Sequence, residues 1–437
     1  MKKLILFLMA AILCAETTTA SAQQEEDNTV LDRQLAQRIE YFRLKPFSGL
    51  GLVVTEQLKA QAKLGQLFYM DPRMSGNQNM NCMICHHVML GTSDRRPLSQ
   101  TEDRMGVLKR NSPSLFNIGF RPHFMFWDGR VAYNPSTKVF TTPEPALNGE
   151  NPKAAHITKV LTSAASAQAI FPLITDNEMM GKPGQNEIAN APTNLEKWDL
   201  IVKRFLDPKD KDYNEIVFYF QKAYPGIKVE EINIGHFGEA MNTFMKLQFE
   251  SKGSPFHRYL NGEKEALTAP QKRGLMLFTG KGLCINCHAG NLLENGRFFT
   301  SVGIPSYGEA PHTPDRGRGE VEGERKNFMF RTPSLINVGL SAPYMHNGIF
   351  KTLRDVVNHY SDISVTVREF QVTPQMKVDY PVVIEANRGP AEIEALWSAV
   401  KASFLKPGIH FSEEEKDDLV DFLQNGLTDP RFAPPRR

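Results

Sequence analysis

The sequence has little of several things, and each shortage removes a class of protein. It has five cysteines in 437 residues, and one of them, Cys14, lies inside an apolar leader. That leaves Cys82, Cys85, Cys284 and Cys287, an even count that in an exported protein suggests disulfides, although their spacing argues otherwise. The formal net charge is only +2, so composition gives no electrostatic reason to expect nucleic acid or an anionic membrane as a partner. After the leader there is no apolar run long enough to span a bilayer. Alternating strand patterns are scarce, which turns the reading away from an all-β fold.

What is present begins with an export signal. Lys2 and Lys3 give a positive start, Leu4 to Ala15 is apolar, and Ala20-Ser21-Ala22 offers small residues for cleavage. Residues 1–22 therefore read as a signal peptide, with Gln23 as the mature start and the periplasm as the destination. Leu13 precedes Cys14, which is wrong for a lipid-anchored cysteine, so Cys14 leaves with the leader. At about 150 residues per domain, the length allows two to three domains.

The remaining cysteines are paired by sequence, each pair followed at once by histidine: Cys82-Met83-Ile84-Cys85-His86 and Cys284-Ile285-Asn286-Cys287-His288. Two thiols at this spacing can form thioethers with the two vinyl groups of one haem, and the next residue then lies where its imidazole can bind the iron. A zinc ribbon also uses such pairs, but its knuckles stand roughly 15–20 residues apart. Here they stand in different halves of the chain. The motifs predict two covalently attached c-type haems with His86 and His288 as iron ligands. His87 reads as a solvated neighbour and not as a ligand.

The chain repeats itself. Asn111-Ser112-Pro113-Ser114-Leu115-Phe116-Asn117-Ile118-Gly119 returns as Arg331-Thr332-Pro333-Ser334-Leu335-Ile336-Asn337-Val338-Gly339. Upstream of the haem motifs, Leu64-Gly65-Gln66-Leu67-Phe68 resembles Gly274-Leu275-Met276-Leu277-Phe278. The expected architecture is mainly α, with two cytochrome c-like haem domains related by duplication, spanning 23–232 and 233–437. Helices are predicted over Gln57–Phe68, stopping at Asp71-Pro72, and over Ile234–Phe249. Another follows Ser412, whose hydroxyl is a good N-cap, and ends at Gly426. Long loops rich in Pro, Gly and Asn cover Thr141–Pro152 and Ser306–Gly323.

The two haem motifs, the repeat and Phe126-Trp127-Asp128-Gly129-Arg130 together resemble the bacterial di-haem cytochrome c peroxidase family, including the MauG-type enzymes that modify a partner protein. The resemblance runs from about Leu64 to Asp429. It implies that the N-terminal haem meets hydrogen peroxide, that the C-terminal haem supplies or stores electrons, and that Trp127 relays between them. It also implies a peroxide pocket of Gln168, Pro172 and Glu178, displaced by an insertion over about 133–166. Glu178 is then the acid/base group, with Glu144 its rival. One calcium ion is implied at Asn111, Ser341 and Pro343.

The sixth iron ligands set this chain apart within that resemblance. Between His87 and His123 there is no histidine; Arg104 to Val107 stand where many members place one. The first iron is expected to be five-coordinate or to hold water, with His123 a structural residue and, as the alternative, a long-range ligand. For the second haem, Ala342-Pro343-Tyr344-Met345-His346-Asn347-Gly348 matches the family, and the ligand position on the following helix is Tyr360. Met345 and His359 are the alternatives. Three functions fit. One is a peroxidase fed by a small cytochrome or cupredoxin. The second is a MauG-like oxidation of Trp or Tyr on a partner protein, and the third is a non-catalytic di-haem electron carrier.

Overall fold

The computed structural model describes residues 28–433, except Leu50, Leu52, Pro122, 309–313, 375–388, Phe404, Lys406 and Pro407. The leader and its cleavage site lie outside the described residues. Two hydrophobic cores organise the chain, each built on a pair of helices that pack closely.

In the first core, α2 (Glu56–Met70) lies along α3 (Ile234–Gln248). Apolar spacing along α2 buries Ala60, Leu64 and Phe68 on one face. Thr55 Oγ1 caps its start by accepting from Leu58 N at 3.2 Å. Gly65 is the point of closest approach: a Cβ there would lie 2.0 Å from Ala240 O. The second core repeats this design with α4 (Ala269–Thr279) and α6 (Glu413–Asp421). Gly274 is the counterpart of Gly65, with a Cβ 2.3 Å from Asp418 O. Ser412 caps α6 in a capping box with Glu415, and the chain turns out at Phe422–Gly426.

The duplicated turn has the same structure in both halves. Asn117 and Asn337 adopt the left-handed conformation, with φ of 57° and 63°, which asparagine tolerates better than most side chains. Asn117 N donates to Phe249 O at 3.0 Å and its Oδ1 accepts from Ser251 N at 2.8 Å. Asn337 N donates to Leu427 O at 2.9 Å and its Oδ1 accepts from Asp429 N at 2.8 Å. Each asparagine thus ties the turn after a haem motif to the segment that ends its domain's last helix.

The packing redraws the domain limits expected at 232/233. Ile234 to Phe249 belong to the first core, so the chain crosses between domains after Phe249. The first helix, α1 (28–41), goes the other way. Leu35, Leu44 and Phe47 are buried in the second core. Asp32 meets the buried Lys272 ammonium at 3.0 Å and accepts from Tyr259 OH at 2.6 Å. Arg38 Nη1 donates to Thr279 O at the end of α4, at 3.0 Å. Sequence order does not carry this swap, because an amphipathic helix can close either core.

Sheet is minor. Strands β1 (Phe124–Met125), β2 (Val131–Asn134) and β3 (Val139–Thr141) form an antiparallel meander with Phe124 opposite Ala132 and Tyr133 opposite Phe140. Strands β4 (Asn295–Thr300) and β5 (Phe330–Thr332) pair antiparallel. The insertion expected over 133–166 is no detached lobe: Phe140, Leu147, Ile157, Leu161, Ala164 and Ala165 are buried in the first core. Between the two halves runs the Phe126–Arg130 loop, and helix α5 (Leu353–Ser361) lies against α6 over the second core.

Candidate active site

Both histidines of the C-x-x-C-H motifs are held in the same way. His86 Nδ1 is 3.2 Å from Thr92 O and 3.0 Å from Ser112 Oγ. His288 Nδ1 is 3.1 Å from Leu293 O. A carbonyl only accepts, so Nδ1 carries the proton and Nε2 keeps its lone pair, the tautomer an iron ligand needs. Ser112 Oγ also donates to Cys85 O at 2.7 Å, which ties the first motif to the repeated turn. Burial pushes the thiols of Cys82, Cys85 and Cys284 up to about 12 and that of Cys287 up to about 11. A redox dithiol keeps an attacking thiol low, the opposite direction. Nor do they converge on zinc, since no three His, Cys, Asp or Glu side chains among the described residues group to hold a metal ion.

A largely apolar cavity of about 230 Å³ opens beside the second motif. Cys284, Cys287, His288, Leu353, Val357 and Tyr360 are among its walls. This donor set and this wall fit a c-type haem. Tyr360 reaches in from α5, and no hydrogen bond engages its hydroxyl among the described residues. Burial, with Cys287 and Cys284 nearby, holds that phenol above its usual range. His359 does not compete: its Nδ1 is 2.9 Å from Thr366 Oγ1 and its Nε2 is 2.7 Å from Val302 O. Met345 lines the same cavity and stays open as a ligand.

Trp127 also borders this cavity, and its Nε1 donates to Asn111 O at 2.9 Å. Its own carbonyl accepts from Arg331 N at 2.8 Å, so the tryptophan is pinned from both halves of the chain. Asn111, Ser341 and Pro343, the expected calcium positions, share the cavity wall with it. Asn111 Nδ2 donates to Arg96 O at 2.7 Å.

Glu178 lies in the turn Asp176–Met180 beside the first motif, where its charge is felt by the Cys85 thiol. Its Oε1 stands 4.0 Å from Arg130 Nη2. Burial raises its pKa above the usual 4.5; Arg130 and Arg110 pull it down and Asp128 pushes it up. Gln168 ends a short helix (Ala164–Gln168) with its side-chain oxygen buried and unpartnered, and Pro172 opens the next turn. An orphaned amide oxygen in a buried setting suits a site completed by a bound group. Glu144, the rival, has both oxygens in use: Oε1 accepts from Ala146 N at 2.9 Å and Oε2 from Asn194 Nδ2 at 2.8 Å. It is a cap. His87 caps a turn through Met89 N at 3.3 Å, and His123 lies 3.2 Å from Arg297 Nη2.

Sequence reasoning missed the buried charges around these groups. Arg110 is clamped between Asp128 at 2.5 Å and Asp315 at 2.6 Å; it lies over the ring of Phe330, which in turn stacks on His346 with centroids 3.6 Å apart. Arg121, Arg331 and Glu294 form a second buried cluster. Their one sequence signal is position: Arg110, Arg121 and Arg331 all fall in or beside the repeated segment.

Two C-x-x-C-H motifs in two helical cores define a di-haem c-type protein. The family model described as di-haem cytochrome c peroxidase matches residues 59–265. The chain is 28% identical over 323 residues to cytochrome-c peroxidase IdrP2 of Denitromonas iodatirespirans, covering 68% of this chain and 72% of that protein. It is 26% identical over 341 residues to the methylamine utilization protein MauG of Methylorubrum extorquens, covering 76% and 79%. Among solved structures it resembles a MauG-like protein associated with microbial copper homeostasis, at a TM-score of 0.58 and 25% identity, over 90% of this chain and 97% of that one. The chain is similar to the di-haem cytochrome c peroxidases and to MauG, and is a peroxidase-type oxidoreductase with haem c cofactors. No helix among the described residues is long and apolar enough to cross a membrane.

Proposed function

We propose that this is an exported, periplasmic di-haem enzyme that reacts with hydrogen peroxide at the N-terminal haem and exchanges electrons through the C-terminal one. The observation that carries the reading is Glu178, half-buried beside the first haem motif and facing Arg130. When bound, each haem supplies an iron able to take up and pass on oxidising equivalents. Cys82, Cys85 and His86 hold the first; Cys284, Cys287, His288 and Tyr360 hold the second. Glu178 takes a proton from the near oxygen of peroxide and returns it to the far oxygen, which departs as water. Gln168 and Pro172 shape the pocket and orient the peroxide. Trp127, pinned between the halves, is the relay. One calcium ion at Asn111, Ser341 and Pro343 steadies the join, as carbonyl and amide oxygens suit a hard cation.

Reducing one peroxide to two waters takes two protons and two electrons. In the first reading the electrons come from a small cytochrome or cupredoxin. Tyr360 favours a second: a phenolate donates strongly and stabilises oxidised iron, which suits storing the two oxidising equivalents and spending them on a Trp or Tyr of a partner protein, as in MauG-like chemistry. Steady-state peroxide consumption by the holo-protein with reduced cytochrome or cupredoxin separates the two. Fast, saturable turnover establishes the first. Negligible turnover, with haems that peroxide still oxidises, establishes the second. Haems that neither peroxide nor cyanide perturbs would overturn both and leave an electron carrier.

A further inference from the structure

Around the second haem cavity one cluster of charges does not balance. Arg121 and Arg331 both line the cavity and are both buried, at 7% and 3% exposure. Between them stands one carboxylate, Glu294, with Oε2 2.9 Å from Arg121 Nε and 3.7 Å from Arg331 Nη1. Two guanidiniums against one carboxylate leave a surplus positive charge out of water. Such a charge is costly unless another anion meets it. Neither Arg121 Nε nor Arg331 Nη1 completes a hydrogen bond. Burial, with Arg121 adding repulsion, pulls the Arg331 guanidinium down to about 10. Each guanidinium keeps one anchor: Arg331 Nε donates to Phe126 O at 3.2 Å and Arg121 Nη2 to Phe116 O at 3.3 Å.

We infer that Arg121 and Arg331, one from each half of the chain, clamp the propionate carboxylates of the second haem. The inference rests on the reading that this cavity holds a haem. A propionate is the anion that comes with such a group, and guanidiniums meet carboxylates in a forked geometry that a lysine cannot copy. The clamp also joins the cofactor to the relay. Arg331 holds Trp127 O through its backbone N–H and Phe126 O through its side chain, so the loop carrying Trp127 and the haem edge would be fixed by one residue. Arg121 and Arg331 are positioning residues.

The test reads the midpoint potential of the second haem in the full-length holo-protein, by spectroelectrochemistry, across the weakly acidic to neutral range. Arg331→Gln and Arg121→Gln remove a positive charge beside the iron, so the ferric state gains and the potential falls. The expected change is roughly tenfold in the reduction equilibrium, about 59 mV for one electron. A propionate freed from its arginine also takes up a proton at higher pH, so in these variants the potential falls further as pH rises, where the parent stays flat. Glu294→Gln moves the potential up and adds no such pH dependence; opposite signs from one cluster are not what loss of folding produces. Arg331→Lys, which keeps the charge, lies nearer the parent. Unchanged potential and pH profile in both glutamine variants, with two haems per chain by pyridine haemochrome, would overturn the clamp. A parent protein with a single haem, at Cys82 and Cys85, would overturn the cofactor reading instead.

Discussion

Replacing Glu178 with glutamine keeps the volume of the side chain and removes its capacity to carry a proton. The carboxyl lies half-buried beside the first haem motif, 4.0 Å from Arg130. A positioned acid/base group contributes about 10²–10⁴-fold to a rate. At about 1.36 kcal/mol per decade, the loss in E178Q amounts to roughly 2.7–5.4 kcal/mol of barrier. Stopped-flow absorbance after mixing ferric protein with peroxide measures the step directly. The pH dependence adds a second readout. The base is the ionised carboxylate, and burial raises its pKa above 4.5. The parent's rate constant therefore rises with pH through a point above that value and then levels, whereas the E178Q profile is flat. The control is Glu144→Ala, which leaves the peroxide rate intact and costs about 0.5–2 kcal/mol of stability as a lost cap. A loss in E178Q of less than about threefold, with the pH inflection retained, is too small for an acid/base group and would refute the assignment.

Tyr360→Phe is expected to change the low-spin ferric spectrum of the second haem, and Met345→Leu to leave it unchanged; electron paramagnetic resonance of the ferric protein decides, and the reverse pattern would move the ligand to Met345. The same spectrum should show a high-spin signal from the first haem, because Arg104 to Val107 offer no histidine. Asn117→Ala loses a residue suited to a left-handed turn and both side-chain bonds to Ser251, so it costs about 2–4 kcal/mol in urea unfolding. Asn337→Ala costs less, since its Nδ2 has no partner to lose. Asp32→Ala strands the Lys272 ammonium, which is 1% exposed, and lowers stability by about 3–5 kcal/mol in thermal unfolding.

Much of this protein is decided by chemistry between near neighbours, and that part is legible in the sequence. Haem attachment needs two thiols and an imidazole at set spacing, so Cys82 to His86 and Cys284 to His288 declare it without reference to the fold. The helix after Ser412 starts where a hydroxyl can cap it. The repeated turn calls for a residue that tolerates the left-handed conformation, and asparagine stands at 117 and 337. Other features depend on which surfaces meet. Residues 28–47 close the second core although they precede the first, because burial rewards any matching apolar face whatever its place in the chain. The spacing of Gln168, Pro172 and Glu178 marked candidates, but it was packing that tied down both oxygens of Glu144 and left Glu178 facing Arg130. His359 and Tyr360 are adjacent in sequence; the helical turn sends one ring to Thr366 and Val302 and the other into the cavity. The place of Arg121 and Arg331 in or beside the repeated segment does not reveal their pairing around Glu294, since a surplus of buried charge exists only once distant segments have been brought out of water together.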